Sequence, residues 1–397
     1  MRILEVNKFY YERRGAERHF LDVIRLFRDA GHEVSVFTMN DPRNVSREYE
    51  KYFVSPVGYN RGDSSLWQRM KGIGRLFWSF EARRKMRWML DDFRPDVVHV
   101  HNAYHQLSLS ILPVIRSRGI PIIMTVHDYH LVSPDKDAYS ESVGDRYWKF
   151  LFVKKYGFGK RFLLVLKSYW ERFLGFQGMI ERYIVPSEYV KNILARAGID
   201  GGRIVVIPHF VFSDTLDFSS AYPKLNSEPY ALYFGGVTEE KGIAELVSVF
   251  NYLRFPLLLA GKKDMDISER NSVRYVGEQT REQLGALIRK ASFVVSASRL
   301  PETFGLIALE ANAQGKPFFG YATGAFPEII ENGENGWLAE DTESFRTTLS
   351  EFIRGNRAVS DADTIRHKTF ACFGSEQYLE RFIRCAELAI RSHRVGG

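Results

Sequence analysis

Residues 301–310 (Pro-Glu-Thr-Phe-Gly-Leu-Ile-Ala-Leu-Glu) set one carboxylate, Glu302, ahead of a helix and a second, Glu310, well inside it. Pro301 to Thr303 read as a loop ending at a helix start. Gly305 lets a ligand come close to the backbone, so the N–H groups of Thr303, Phe304, Gly305, Leu306 and Ile307 form an anion site suited to a diphosphate. Five helical residues at ~1.5 Å each put Glu310 about 7.5 Å along the axis from Gly305. One of the two carboxylates could then accept hydrogen bonds from sugar hydroxyls on one side of a diphosphate, and the other from ribose hydroxyls on the far side. The spacing alone is common on solvated helices; the surround adds weight. Leu306, Ile307, Ala308, Leu309, Ala311 and Ala313 are apolar almost all round, so the helix is expected to be buried on more than one side, and a carboxylate within it must face something polar.

Two segments of the chain are built to present such loops. Residues 2–6 read as a strand that leads through a glycine-containing loop at 13–17 into a helix near 17–30 and a strand at 33–38. Residues 230–234 read as a strand that leads through Gly235 and Gly236 to Glu240, Lys241 and Gly242, then a helix near 243–252 and a strand at 256–260. Further short apolar runs at 96–101, 121–127, 182–186 and 203–208, and at 273–277, 293–297, 316–321 and 336–339, alternate with helices and predict parallel sheets. The fold class expected is α/β, with two doubly wound domains in tandem: 1–210, a linker at 211–229, 230–374, and a C-terminal helix at 375–397 packing back towards the N-terminal domain. Ligands of such sheets bind beyond the carboxyl ends of the strands, which singles out loops 13–17, 127–133, 235–242 and 301–305.

The 397 residues exceed one ordinary core, and 45% apolar with 26% charged residues is a globular composition. Cys372 and Cys385 make neither a disulfide framework nor a metal-ligand pattern, as in a reducing cytosol. The chain opens on a strand pattern and no apolar run reaches the ~18 residues that span a bilayer, so a cytoplasmic protein is expected. The net charge of +7 concentrates in two basic, aromatic-rich segments. One holds Trp67, Arg69, Lys71, Arg75, Trp78, Lys85 and Trp88; the other runs from Arg146 to Arg182 with Trp148, Lys154, Lys155, Phe162, Trp170 and Phe173. That pairing suits an anionic membrane surface, and no nucleic-acid module accompanies it.

Taken together, Arg14-Gly-Ala-Glu-Arg18, Pro95-Asp-Val-Val-His-Val-His-Asn102, Thr125-Val-His-Asp-Tyr129, Pro186-Ser187, the glycines of 235–242, the Glu302 to Glu310 motif and Gly324-Ala-Phe-Pro-Glu328 resemble the retaining glycosyltransferases of family 4, which have the GT-B fold. The resemblance implies two Rossmann-like domains facing across a cleft. A sugar would pass from a nucleoside-diphosphate donor held by the C-terminal domain to an acceptor on the N-terminal one, with anomeric configuration retained and no metal or cofactor needed. It further implies that Lys241 meets the donor diphosphate, that His127 and Glu302 lie at the donor sugar, and that Gly15, Gly235, Gly236, Thr303, Phe304, Gly305, Leu306 and Glu310 bind the donor. Gly236 stands where many relatives carry an arginine, which leaves Lys241 to act alone or Arg203, Lys262 or Lys263 to compensate. Arg14 replaces the first glycine of the N-terminal loop and, with Glu17, is assigned to an anionic acceptor such as a lipid diphosphate. His99 and His101 project from one strand face and could chelate a metal, but read as a satisfied buried pair without a catalytic role. Rival readings are a sugar-nucleotide hydrolase or epimerase of the same fold, or a binding module that has lost its chemistry.

Overall fold

In the computed structural model, which describes residues 1–57, 66–135, 146–153, 156–213, 228–267 and 272–395, the short apolar runs form parallel strands in two sheets. The chain divides into two compact units: Met1–Ile207 with the segment from Leu379 onward, and Pro208–Tyr378. The first carries β1 (Arg2–Val6), α1 (Gly15–Asp29), β2 (Glu33–Phe37), α2 (Leu66–Phe77), α3 (Phe80–Phe93), β3 (Val97–Val100), α4 (Leu112–Arg116), β4 (Ile122–Thr125), α5 (Phe158–Phe173), β5 (Arg182–Val185), α6 (Glu188–Arg196) and β6 (Ile204–Val206). The second carries β7 (Ala231–Phe234), α7 (Ile243–Leu253), β8 (Leu257–Ala260), β9 (Val273–Gly277), α8 (Arg281–Lys290), β10 (Phe293–Val295), α9 (Leu306–Ala313), β11 (Phe318–Tyr321), α10 (Phe326–Ile329), β12 (Gly336–Ala339), α11 (Thr342–Ile353) and α12 (Ala362–Phe373). The last helix, α13 (Ser375–Val395), starts in the second unit and continues in the first.

Each sheet has six strands, ordered β2-β1-β3-β4-β5-β6 and β12-β11-β10-β7-β8-β9. Nearly every residue of β3, β4, β7, β8 and β11 is buried, as expected where helices cover both faces of a parallel sheet. In the first sheet the chain steps from β1 to β2 in one direction and from β3 onward in the other; in the second it steps from β7 to β9, then returns through β10. The reversals, between β1 and β3 and between β7 and β10, are where doubly wound sheets leave a crevice at the carboxyl ends of their strands.

Two expectations shift. Residues 208–213 pack with the second unit: Val211 bridges Gly374 in parallel, its N–H bonding to Phe373 O at 3.0 Å, and the Phe210 ring lies 4.6 Å from that of Tyr378. Local polarity suggested a linker from 211, whereas apolar side chains anchor its first residues; 214–227 lie outside the described residues. The basic segment around α2 is also less open than its composition implies. Arg75 is buried and pairs with Glu81 at 2.6 Å, while Lys85 donates to Phe53 O and Arg83 lies over the Trp78 ring. The side chains of Trp67, Arg69 and Lys71, and residues Lys154 and Lys155, lie outside the described structure.

Candidate active site

In the first unit Glu5 of β1 stands in register with His99 of β3. Residues two apart on a strand share a face, so His99 and His101 reach the same carboxylate. His99 Nδ1 is 2.9 Å from Glu5 Oε1, and His101 Nε2 is 2.9 Å from Oε2. The outer ring nitrogens are engaged as well: His99 Nε2 meets Thr125 Oγ1 at 2.7 Å, and His101 Nδ1 meets His127 Nε2 at 2.8 Å. Glu5, His99 and His101 are fully buried. Burial holds both imidazoles neutral, with pKa values of about 3, and pushes the Glu5 carboxyl up.

A neutral imidazole offers one N–H and one lone pair. While Glu5 is ionised, both imidazoles must donate to it. His99 Nε2 then accepts from the Thr125 hydroxyl, and His101 Nδ1 accepts from His127, which must carry its proton on Nε2; the tautomers follow from the hydrogen-bond pattern. The His101 and His127 rings meet edge to edge along this hydrogen bond, with centroids 5.1 Å apart and planes 18° from parallel. A buried carboxylate thus sets, through one histidine, the orientation and tautomer of another at the end of β4.

Charged groups surround this chain at the carboxyl edge. Lys8 follows β1, and burial lowers its pKa while the charges of Asp128 and Glu17 oppose the change. Glu17, buried in the first turn of α1, is raised by burial and lowered by Lys8 and Arg13. Burial would raise Asp128, but His130 and Lys8 hold it well below the usual carboxylate range, and its carboxylate caps the His130 N–H at 3.0 Å.

In the second unit the loop after β7 holds Lys241, whose ammonium pairs with Glu302, in the loop after β10. The Tyr233 hydroxyl donates to Gly236 O at 2.8 Å, and its pKa is raised by burial and then by the Glu302 charge, which groups Tyr233, Gly236, Lys241 and Glu302. Backbones are pressed together beneath them. A Cβ on Gly242 would lie 2.2 Å from Ala297 O; one on Gly324 would lie 2.5 Å from Glu302 N. Ala325 N–H donates to Glu302 O at 3.0 Å, so the 324–325 backbone lies directly against the Glu302 main chain. Arg299 pins the same loop, donating to Thr342 Oγ1 at 2.7 Å and Tyr321 Oη at 3.1 Å. Glu310 lies one turn beyond Leu306 on the half-buried face of α9, and the first N–H groups of that helix have no i−4 partner within it.

Residues 13–214 match the family described as Glycosyltransferase Family 4, and residues 216–364 match Glycosyl transferases group 1. The chain belongs to glycosyltransferase family 4. It is 26% identical over 358 residues to the phosphatidyl-myo-inositol mannosyltransferase of Mycolicibacterium smegmatis, covering 84% of this chain and 80% of that one. Among solved structures it resembles sucrose-phosphate synthase from Thermosynechococcus elongatus, with a TM-score of 0.68 and 18% identity over 98% of both chains. It also resembles Anabaena HepE in complex with UDP-glucose, with a TM-score of 0.65 and 15% identity over 98% of this chain and 99% of that one. These last two likenesses establish the GT-B fold.

In this glycosyltransferase several sequence expectations change in their physical basis. Gly15 is the first residue of α1 rather than part of a loop, with Arg14, exposed, at the N-cap. Gly305 is a glycine for packing: φ is 104°, and a Cβ would meet the Phe326 ring at 2.6 Å. The Phe304 side chain is buried against His209 and Phe373, which leaves only its backbone for a ligand. Arg203 precedes β6 at the amino edge of the first sheet, near the carbonyls of Gly178 and Ile180. Lys262 and Lys263 do flank that loop, since Val237 N–H bonds to Lys262 O at 2.8 Å and Val237 bridges Lys263. Glu5, Lys8 and Tyr233 were missed, and His101 was read as half of a satisfied buried pair without its link to His127. Lys8 had a usable signal, a basic residue just past the end of β1; Glu5 had none, because a glutamate inside a short strand reads as an exposed position.

Proposed function

We propose that this protein is a retaining glycosyltransferase that moves a sugar from a nucleoside-diphosphate sugar to a glycan or lipid-linked acceptor at the cytosolic face of a membrane. The observation that carries this is the Lys241–Glu302 pair at the strand-order reversal of the second unit. A donor diphosphate competes with Glu302 for the Lys241 ammonium, and the displaced carboxylate is then available to hydroxyls of the donor sugar. As the glycosidic bond breaks, charge grows on the leaving diphosphate, and a positioned ammonium stabilises it more in the transition state than in the ground state. The start of α9 adds backbone donors for phosphate, and Glu310 takes the ribose hydroxyls. His127, oriented by His101, meets a hydroxyl of the donor sugar, and Arg14 and Glu17 face the acceptor. Neither metal nor cofactor has a part in this scheme. The likeness to a protein solved with UDP-glucose supports the donor class, and that to a phosphatidyl-inositol mannosyltransferase supports a lipid-borne acceptor.

Thermal-shift measurements with uridine, guanosine and adenosine diphosphate sugars test the donor, since a ligand at ~100 times its Kd stabilises by about 2.7 kcal/mol. Glu310→Ala is expected to abolish that shift and sugar transfer while the free protein melts as wild type does. Wild-type turnover in the variant would overturn the assignment.

A further inference from the structure

The segment 146–175 departs from an ordinary amphipathic pattern. Inward, Leu164, Val165 and Ser168 of α5 are buried, and Leu164 and Val165 pack with Tyr147 and Phe150. Outward, Phe158, Phe162, Leu166, Trp170 and Phe173 are all exposed, Phe173 by 80%. Their spacing of four, four, four and three residues places them within an arc of about 120° on the helix. Trp148 and Phe152, which precede the helix, are exposed as well, Phe152 by 73%. A large apolar face of this kind marks a contact surface.

Charge selects the occupant. The segment holds eight lysines and arginines against one acidic residue, Glu171, and that carboxylate is taken by Lys167 at 2.7 Å. On α5, Lys160 and Arg172 are exposed beside the aromatic stripe, and the Lys160 ammonium lies 3.7 Å from the centroid of the Tyr156 ring. Two copies pressed together through this face would oppose like charges. Aromatic rings ringed by basic groups fit the headgroup layer of an anionic bilayer, where rings reach the acyl boundary and ammonium or guanidinium groups meet phosphates. Among the described residues no helix is long and apolar enough to cross a membrane, so contact through this face would be peripheral.

We infer that the outer face of α5, with Trp148 and Phe152, docks the protein on an anionic phospholipid bilayer. The inference rests on the membrane-borne acceptor proposed above and identifies the surface that delivers the enzyme to it. Sucrose-loaded vesicles of phosphatidylcholine, with and without phosphatidylglycerol, test it by co-sedimentation of the full chain. Binding is expected to be at least about tenfold stronger on the anionic vesicles and to weaken with added salt. The triple variant Phe158→Ser, Phe162→Ser, Phe173→Ser should lose at least about tenfold in binding with an unchanged melting temperature, because those side chains are exposed. Lys160→Glu with Arg172→Glu should abolish the preference for anionic vesicles. Equal binding by wild type and the triple variant, absence of binding, or a wild-type dimer that the triple variant converts to monomer would each overturn the inference. Transfer to a detergent-dispersed acceptor is read in parallel: its retention in a variant that no longer binds vesicles separates docking from catalysis, and its absence in wild type would count against the proposed function instead.

Discussion

The two units reach the same crevice geometry by different means. In the second, glycines under the loops are packed against main chain. A Cβ on Gly242, Gly261 or Gly324 would come within 2.5 Å of a backbone atom of Ala297, Gly235 or Glu302. In the first, the positive-φ glycines Gly31, Gly175 and Gly198 have open space around the missing Cβ. They end turns, and the site is held by side chains: Glu5, His99, His101 and Thr125. One crevice is therefore rigid because backbones touch, the other because a buried hydrogen-bond chain is complete. The first kind of rigidity should respond to volume and the second to protons.

Four measurements can break or sharpen that contrast. The largest effect is expected from acid. His99 and His101 have folded-state pKa values of about 3 against about 6.5 when unfolded, so between those limits the unfolded chain binds up to two more protons than the folded one. Stability then falls as pH falls, by at most about 3 kcal/mol per pH unit, reduced by Glu5, whose raised pKa acts in the opposite sense. Hydrogen exchange at pH 7 and pH 5 should show the first unit losing protection before the second; equal loss in both would remove the contrast.

Next comes Gly242→Ala, which combines a left-handed backbone at φ 71° with a carbonyl 2.2 Å from the new Cβ. A loss of about 3 kcal/mol in denaturant unfolding is expected. Gly198→Ala, equally left-handed but in open space, should cost only about 1 kcal/mol. Similar values for the two would mean that backbone strain alone governs both units.

Glu5→Gln replaces a double acceptor by one donor and one acceptor, so one histidine must reverse its tautomer. A loss of ~10- to 100-fold in kcat is expected, as for other buried polar mismatches of 1–3 kcal/mol. The nitrogen-15 shifts of His99, His101 and His127 should report which tautomer has changed, which a merely structural defect would not produce.

The smallest effect is expected from Lys241→Met, which removes a half-exposed cation without disturbing the packing beneath it. Transfer should fall by roughly tenfold or somewhat more, since a charge-assisted hydrogen bond contributes about 1.5–3 kcal/mol and solvent screens part of that here. Unaltered kcat/KM would count against a role for the ammonium.

Much of the architecture was legible before any coordinates. Runs such as 256–260 and 316–321 enclose β8 and β11, because strands buried on both faces are short, continuous and bounded by polar turns. The loops past strand ends were legible for the same reason; Glu302 stood out by its spacing, and Lys241 by the family resemblance. What could not be read was which side of a helix faces outward. The α5 aromatics and the buried Arg75 came from equally basic, aromatic-rich segments, yet Phe173 is exposed and Arg75 is enclosed by Ser55 and Glu81.

By itself, then, the sequence determined two α/β units, their strand runs and the loops at their carboxyl ends, because hydrophobic periodicity and turn chemistry act over a few neighbouring residues. Only the tertiary structure decided that Glu5 meets His101, 96 positions away, and through it His127, or that Gly324 clamps the backbone of Glu302. Those contacts depend on strand order and on which chain segments touch, and a local pattern carries neither.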